Sequence, residues 1–319
     1  MHLNDKIFLS FFKDIPHFEN NPHIAVGVSG GPDSLALVYI LNKWVNSKKG
    51  KISALVFNHR IRLDSARESN QVKKILESLN IETFVINAKK NIKVKKNMSN
   101  ARDNRFEGLL NFCKRKNILH LFLGHHFDDN LETYLIRKIN GSNLEGLGSM
   151  NKVSTLNNIQ IIRPFININK NTIINFNKKH KLKFINDPSN KNLHFTRVKV
   201  RNFLEDDYYK KIVKSDFLDI QKKIPNYRTM IWELFHKSII DVRSNMVKIS
   251  LDKMILLDEL IIEKHILIIL KFFSTDKGKT KTSKIKQFIY NFKKTTFKSF
   301  NLRGINIIKK SNFLIFSQK

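Results

Sequence analysis

Cysteine is all but missing from this chain: Cys113 is the only one in 319 residues. A single thiol builds no disulfide framework and no cysteine-based metal or cluster site, and it fits a reducing cytoplasm. Acids are scarce too, 27 Asp+Glu against 58 Lys+Arg, for a formal net charge of +31. That imbalance exceeds what solubility needs and points to a polyanionic partner, nucleic acid first. Composition offers a competing cause, since an AT-rich genome inflates Lys, Asn, Ile and Phe together, and the chain has 25 Phe but only 11 Gly. Long apolar runs are also absent. The most apolar stretch, Met254 to Phe273, is broken by Asp258, Glu259, Glu263, Lys264 and His265, so it reads as a core helix and no membrane association is expected. Residues 1 to 20 are mixed and charged, without the basic start, apolar centre and small residues of a signal peptide. No repeat of solenoid length is seen.

What is present is regular. Up to about residue 126, short β-branched runs alternate with amphipathic stretches, as a parallel sheet with crossover helices requires. Strands are expected at His23–Val28, Ile52–Asn58, Glu82–Ile86 and Ile118–Leu123, with helices at Asp33–Asn46, Asp64–Leu79, Asn100–Lys116 and Asp128–Ile139. The fold class is α/β, a doubly wound parallel sheet that places ligands at the carboxyl ends of its strands. Asn140 to Phe165 reads as a mobile loop, followed by a helix over Lys170–His180 and a turn at Asp187-Pro188-Ser189-Asn190. Beyond about residue 210, long helices at Tyr227–Ser244, Asp252–Phe273 and Ser283–Lys294 precede two short strands, Ile305–Lys309 and Phe313–Phe316. Two domains are therefore expected, residues 1–210 and a smaller, mainly helical 211–319, with an exposed basic loop over Ser274 to Thr282.

The strand ending at Val28 runs into Ser29-Gly30-Gly31-Pro32-Asp33-Ser34. The glycines let backbone N–H groups approach an anion, Pro32 suits a first helical turn, and the helix N-terminus adds partial positive charge. The loop has neither the Gly-Lys-Ser/Thr ending of a kinase-type P-loop nor the spacing of a dinucleotide fingerprint. It carries an acid, Asp33, and an acid beside phosphates calls for Mg²⁺ or an amino group to neutralise it. Taken alone, the same residues also read as a plain strand-to-helix turn with Asp33 facing the helix dipole.

A second candidate is Gly124-His125-His126-Phe127-Asp128-Asp129-Asn130-Leu131-Glu132-Thr133. With a helix starting near Asp128, Asp128 and Asp129 share a face with Glu132. An acidic pocket in a basic protein suits Mg²⁺ or an ammonium group, and His125 and His126 can meet a phosphate or move a proton. The alternative is acids decorating a helix N-terminus, and the spacing disfavours zinc. Arg102 with Arg105, and Arg197 with Arg201, are one helical turn apart, either as solvated side chains or as clamps for phosphate oxygens.

In order along the chain, Ser29 to Ser34, Asn58-His59-Arg60-Ile61-Arg62, Ala101 to Phe106, Gly124 to Thr133, Asp187 to Asn190 and Arg197 to Asn202 resemble the tRNA(Ile)-lysidine synthetase family of the N-type ATP pyrophosphatase group. The resemblance covers about residues 20 to 205 and also fits the smaller domain. It implies an adenine nucleotide alpha-hydrolase-like fold and a cytoplasmic ligase, monomer or homodimer, that uses ATP and Mg²⁺. In that family ATP adenylates the carbonyl oxygen of the wobble cytidine in the isoleucine tRNA with a CAU anticodon, releasing pyrophosphate. The side-chain amine of free lysine then displaces AMP, and the codon read changes from AUG to AUA.

Carried over by position, the resemblance implies ATP contacts for Ser29, Gly30, Gly31, Pro32, Asp33 and Ser34, and a metal contact for Asp33. It implies lysine contacts for Asp129 and Glu132, and catalytic roles for Asp33, Arg105, His126, Asp128 and Arg201. The chain departs from the family at Arg60, where glycine is usual in His-Gly-Leu-Arg, at Asn130 for glutamine, and at Asn140 for arginine; its C-terminal portion is short beside longer members. A tRNA thiolase, a GMP synthetase and an argininosuccinate synthetase share the fold. One cysteine disfavours the first, and this length accommodates no amidotransferase region for glutamine-fed amidation. A catalytically dead RNA binder gains nothing from acids at 33, 128, 129 and 132.

Overall fold

The computed structural model describes residues 18–60, 64–88, 98–185, 196–273, 282–294 and 296–318. The chain divides into two compact units, Met1–Ile220 and Gln221–Lys319, a later division than the one expected after residue 210.

The first unit holds six strands, β1 (His23–Val28), β2 (Lys51–Asn58), β3 (Glu82–Asn87), β4 (His120–Leu123), β5 (Val153–Leu156) and β6 (Ile159–Ile162). Their order is β3-β2-β1-β4-β6-β5, and every neighbouring pair is parallel except β5–β6. Its helices are α1 (Pro32–Ser47), α2 (Ser65–Glu77), α3 (Met98–Arg115), α4 (Phe127–Ile139), α5 (Leu144–Leu147), α6 (Lys170–Lys179) and α7 (Thr196–Phe203), and α8 (Asp207–Ser238) begins here. Side chains alternate across a strand, so β1 feeds two cores. Ile24, Val26 and Val28 pack with Leu37, Leu41 and Trp44 of α1, Leu76 of α2 and Phe176 of α6. Ala25 turns the other way, with Leu121 and Leu123, onto Leu109, Leu110 and Cys113 of α3. Helices on both faces are why these strands read as unbroken apolar runs. Burial pushes the Cys113 thiol up to about 12, so it is an inert core residue.

The stretch expected as a mobile loop, Asn140 to Phe165, is more structured than that. It forms α5 and a β5–β6 hairpin turned by Asn157 and Asn158, at φ 50° and 62°, and β6 joins the sheet beside β4. Arg137 donates to the carbonyls of Gly146 (2.6 Å) and Ser149 (3.2 Å), and Asn130 exchanges two hydrogen bonds with the backbone of Met150. These contacts tie the segment to α4.

The second unit is an antiparallel sheet, order β7-β8-β11-β10-β9, made of β7 (Ile239–Arg243), β8 (Met246–Ser250), β9 (Ser299–Leu302), β10 (Ile305–Lys310) and β11 (Phe313–Gln318). Helices α9 (Leu251–Ile255), α10 (Glu259–Phe273) and α11 (Thr282–Phe292) pack on it. The helix expected over Tyr227–Ser244 ends at Ser238 and continues as β7, and the one expected over Asp252–Phe273 is two helices. In α10, Ile262, Ile266, Ile269, Leu270 and Phe273 are buried, one apolar stripe at helical spacing. No described helix is long and apolar enough to cross a membrane. Ile61 and Arg62, the Asp187-Pro188-Ser189-Asn190 turn and Ser274 to Lys281 of the expected basic loop lie outside the described residues.

Candidate active site

Strand order reverses between β1 and β4, and a crevice opens at such a point beyond the carboxyl ends of the strands. Both glycine segments leave the sheet there. Gly30 has φ +84°, and a Cβ on it would lie 2.5 Å from Val72 Cγ2, so backbone conformation and space both require glycine. Gly31 is the extended N-cap of α1, Pro32 opens the helix, and no side chain caps it. That leaves the N-terminal amides of α1 for an anion. Ser34 shapes the turn: its Oγ accepts from the Ser29 amide (3.2 Å) and donates to the Gly31 carbonyl (3.0 Å). The second loop touches the first through Gly124, where a Cβ would sit 3.1 Å from the carbonyl of Asp33.

The β4–α4 junction sets the acids. His126 is the N-cap of α4, its Nδ1 accepting from the Asp129 amide at 3.3 Å, while Asp129 Oδ2 accepts from the His126 amide at 3.1 Å. This reciprocal capping fixes both side chains. With Nδ1 an acceptor, the ring proton is on Nε2, which faces Asp129 Oδ2 at 3.4 Å and Asp33 Oδ2 at 3.8 Å. Asp128 Oδ2 lies 3.7 Å from Nδ1 and accepts from the Lys170 amide at 2.8 Å, while Lys210 Nζ is 2.8 Å from its Oδ1. Lys170 Nζ reaches Asp33 Oδ2 at 3.5 Å. One imidazole and two ammonium groups therefore link three carboxylates.

Deeper in, Glu132 is 3 % exposed and doubly clamped: Arg197 Nε approaches at 2.8 Å and Arg201 Nε at 2.7 Å. The bond to Glu132 raises the Arg201 guanidinium above its ordinary value. Burial acts upward on Asp129, but His126, His125 and Arg197 outweigh it and hold the carboxyl down at about 2. Burial likewise acts upward on Asp128, and the hydrogen bonds from Lys210 and Lys170 bring it below its usual range. Burial first, then the neighbouring Arg102 and Arg197, push Arg105 down to about 10. Among the described residues Arg105 has no ion-pair or hydrogen-bond partner. His125 is pushed down to about 3, by burial first, and its Nδ1 is buried without a hydrogen-bond partner.

The fold thus brings Asp33, His126, Asp128 and Asp129 together and sets Glu132 with Arg201 just behind them. Arg105 contributes through the electrostatic field of Asp129 and Arg197 without a direct bond. Sequence reasoning missed Lys170 and Lys210, which lie far from Asp128 along the chain and carry no local signal. It also missed Arg163, which is buried, is held by the Asn151 carbonyl and Ser154 hydroxyl at 3.0 Å each, and acts electrostatically on His125.

No three His, Cys, Asp or Glu side chains converge as a metal site among the described residues. Asp33 Oδ1, however, is buried with no hydrogen-bond partner. One such oxygen fits Mg²⁺, which takes most of its ligands from phosphates and water.

A glycine turn at a helix N-terminus on the reversal point of a parallel sheet defines a nucleotide-binding α/β domain. A family model described as a PP-loop domain matches residues 3–207, and the chain belongs to that family. Among curated proteins it is similar to the tRNA(Ile)-lysidine synthase of Orientia tsutsugamushi (strain Boryong), 36% identical over 202 residues, covering 62% of this chain and 46% of that protein. The Wolbachia pipientis wMel protein of the same name is 40% identical over 193 residues, 59% of this chain and 44% of that one. The chain thus spans somewhat under half the length of these two relatives. Among solved structures, a U34-tRNA thiolase of Methanococcus maripaludis aligns over 70% of this chain and 77% of its own at a TM-score of 0.58 and 20% identity, a likeness of fold.

Proposed function

We propose that this chain carries out the reaction of the tRNA(Ile)-lysidine synthases it resembles, joining lysine to the wobble cytidine of the CAU-anticodon isoleucine tRNA at the expense of ATP, in the cytoplasm. The observation that supports it most is the backbone approach of Gly124 to Asp33, which makes the glycine turn and the acidic helix mouth two walls of one cleft. In this reading residues 1–210 form the catalytic domain and 211–319 bind tRNA. Ser29, Gly30, Gly31, Pro32 and Ser34 shape the turn around the triphosphate. Asp33 holds Mg²⁺, which supplies positive charge against the phosphates.

The base's carbonyl oxygen forms a bond to the α-phosphorus as the α–β phosphate bond breaks and pyrophosphate leaves. The lysine amine then bonds to the carbonyl carbon, and AMP leaves with the oxygen. Arg105 and Arg201 face the phosphate charge that develops, a positioned-charge effect rather than proton chemistry. Asp129, ionised down to about pH 2, is a fixed negative charge for the lysine ammonium and too weak a base to remove its proton. Glu132 deepens the same negative field and anchors Arg197 and Arg201. His126 Nε2, which carries the ring proton and faces Asp33 and Asp129, holds those two carboxylates in place, and the proton of the lysine ammonium leaves to solvent. Holding both substrates in one cleft supplies the orientation. A thiolase reading fares worse, because the single thiol is buried and its pKa is raised.

Purified protein with ATP, Mg²⁺, lysine and this tRNA is expected to release AMP only when lysine is present, and Asp33→Asn to lower that rate on the order of 100- to 1,000-fold with tRNA affinity unchanged. AMP release indifferent to lysine points to another adenylating enzyme.

A further inference from the structure

We propose that Phe203, Tyr208 and Tyr209 form a stacking platform for unpaired RNA bases next to the target nucleotide, an inference that rests on the tRNA reading above. The three rings are 43%, 69% and 44% exposed, in a unit whose other large aromatics are mostly buried. They are also ordered against each other. Phe203 and Tyr209 stack with centroids 4.6 Å apart and planes at 28°, and Tyr208 meets Tyr209 edge-on at 5.4 Å. Asp206 Oδ1 accepts from the amides of Tyr208 and Tyr209 (2.8 and 3.4 Å), which pins the first turn of α8 that presents them. The core is served by other residues of the same segments, Leu204, Val213 and Phe217, so the rings are not there to pack the fold.

Their position ties them to the cleft. Phe203 comes two residues after Arg201, which grips Glu132, and Tyr209 directly precedes Lys210, which grips Asp128. On α8, Lys211 and Ile212 follow Tyr208 at three and four positions and are exposed on the same face. A ring surface with a cation alongside suits a nucleotide, whose base stacks while its phosphate meets the charge. Exposed Glu205, Asp206, Lys211 and Lys214 stand around the rings, a charged rim that favours a nucleotide over an apolar protein contact. The acids Glu205 to Asp207 lie in the α7–α8 connection and the α8 N-terminus, so the phosphates are placed toward Lys211 and Lys199. The surface selects single-stranded over duplex RNA, because only an unpaired base offers a free face.

The test uses the full chain and the anticodon stem-loop of the isoleucine tRNA, with 2-aminopurine on one or the other side of the target cytidine. Wild type is expected to quench that fluorescence on binding. Tyr208→Ala and Phe203→Ala are expected to bind the loop about 5- to 100-fold more weakly and to raise KM for tRNA with kcat and ATP affinity kept, while Tyr208→Phe binds as wild type does. Wild-type affinity in both alanine variants overturns the proposal, as does a phenylalanine variant as weak as alanine, or duplex RNA competing as well as the loop. Alanine variants that change only self-association, leaving RNA affinity intact, also overturn it in favour of a protein contact. If wild type shows the quenching but no lysine-dependent AMP release, the platform stands and the proposed reaction falls.

Discussion

The two units solve the same packing problem with opposite chemistry. In the first, the buried polar set includes Glu132, His126, Arg163, His120 and Asn130; in the second, among the described residues, it is Ser238 and His265. The second unit's interior is otherwise isoleucine, leucine, valine, methionine and phenylalanine. A buried ion costs several kcal/mol unless a partner repays it, so a fold keeps such groups where something beyond stability requires them. Of these, Glu132 and His126 stand at the crevice, Glu132 clamped by Arg197 and Arg201 and His126 capping α4, which supports placing the proposed chemistry in the first unit.

The contrast can be broken from either side, and each unit has its own reporter: Trp44 belongs to the first and Trp232 to the second. The largest effect is expected in the apolar unit. Phe288 is fully buried among Phe292, Phe297, Phe300 and Phe316, so Phe288→Ala is expected to cost about 3–5 kcal/mol. Urea unfolding should show the loss through Trp232, with ATP binding unchanged. Glu132→Ala does the reverse. It strands Arg197 and Arg201, but these are 29% and 35% exposed and can rehydrate, so the expected cost, about 2–3 kcal/mol, falls below that of a fully buried pair. Lysine-dependent turnover should disappear with it while the second unit unfolds as before. Equal loss of activity in both variants would remove the division of labour.

A smaller effect comes from pH. His125 titrates near 3 in the folded chain, kept neutral by burial first and by Arg102, Arg163 and Arg105, against the pull of Asp129; unfolded, it titrates near 6.5. Between those values the unfolded chain binds a proton that the native one does not, so stability falls as pH drops from about 6.5 toward 3. Asp129, held at about 2, adds a second loss between about pH 4 and 2. His125→Phe is expected to flatten the first window and, because His125 is one of the groups holding Asp129 down, to narrow the second. Thermal melts followed through Trp44 at pH 7 and 5 measure it, and an unchanged slope would show that His125 is not the buried neutral group.

How much of this was legible depends on the length and symmetry of each signal. β1 lies where its apolar run places it, and β2, β3 and β4 agree to within two residues, because strands covered on both faces leave a continuous hydrophobic trace. The hairpins left less. β5 and β6 have four residues each, and β7 continues the texture of α8 with Ile-Ile-Asp-Val-Arg, so neither pattern length nor period distinguishes them. Asn157-Asn158 was a usable clue, since both residues take the left-handed conformation a two-residue hairpin turn needs. At the site, the glycine turn and the acids at 128, 129 and 132 were local and visible. Lys170 and Lys210 were not, because only tertiary folding brings them to Asp128, and neither was Arg163, whose partners Asn151 and Ser154 meet it only in the folded chain.

Arg60 gives the smallest and most local test, on a kind of backbone strain that both units carry, the second at Arg303 and Ser311. It stands just past β2, at the carboxyl edge where ligands gather, with φ 55°, a left-handed conformation that costs a side chain about 1–2 kcal/mol. Two contacts offset part of that: its amide donates to Asn58 Oδ1 at 2.9 Å and its Nε to Asn87 Oδ1 at 3.3 Å. Arg60→Gly relieves the strain and keeps the amide bond, but loosens the unfolded chain by about 0.5–1 kcal/mol. The expected net is a gain of about 0.5 kcal/mol, read as a later urea midpoint through Trp44. A loss would mean that the guanidinium bond to Asn87 outweighs the backbone, and that the residue is held there for its charge.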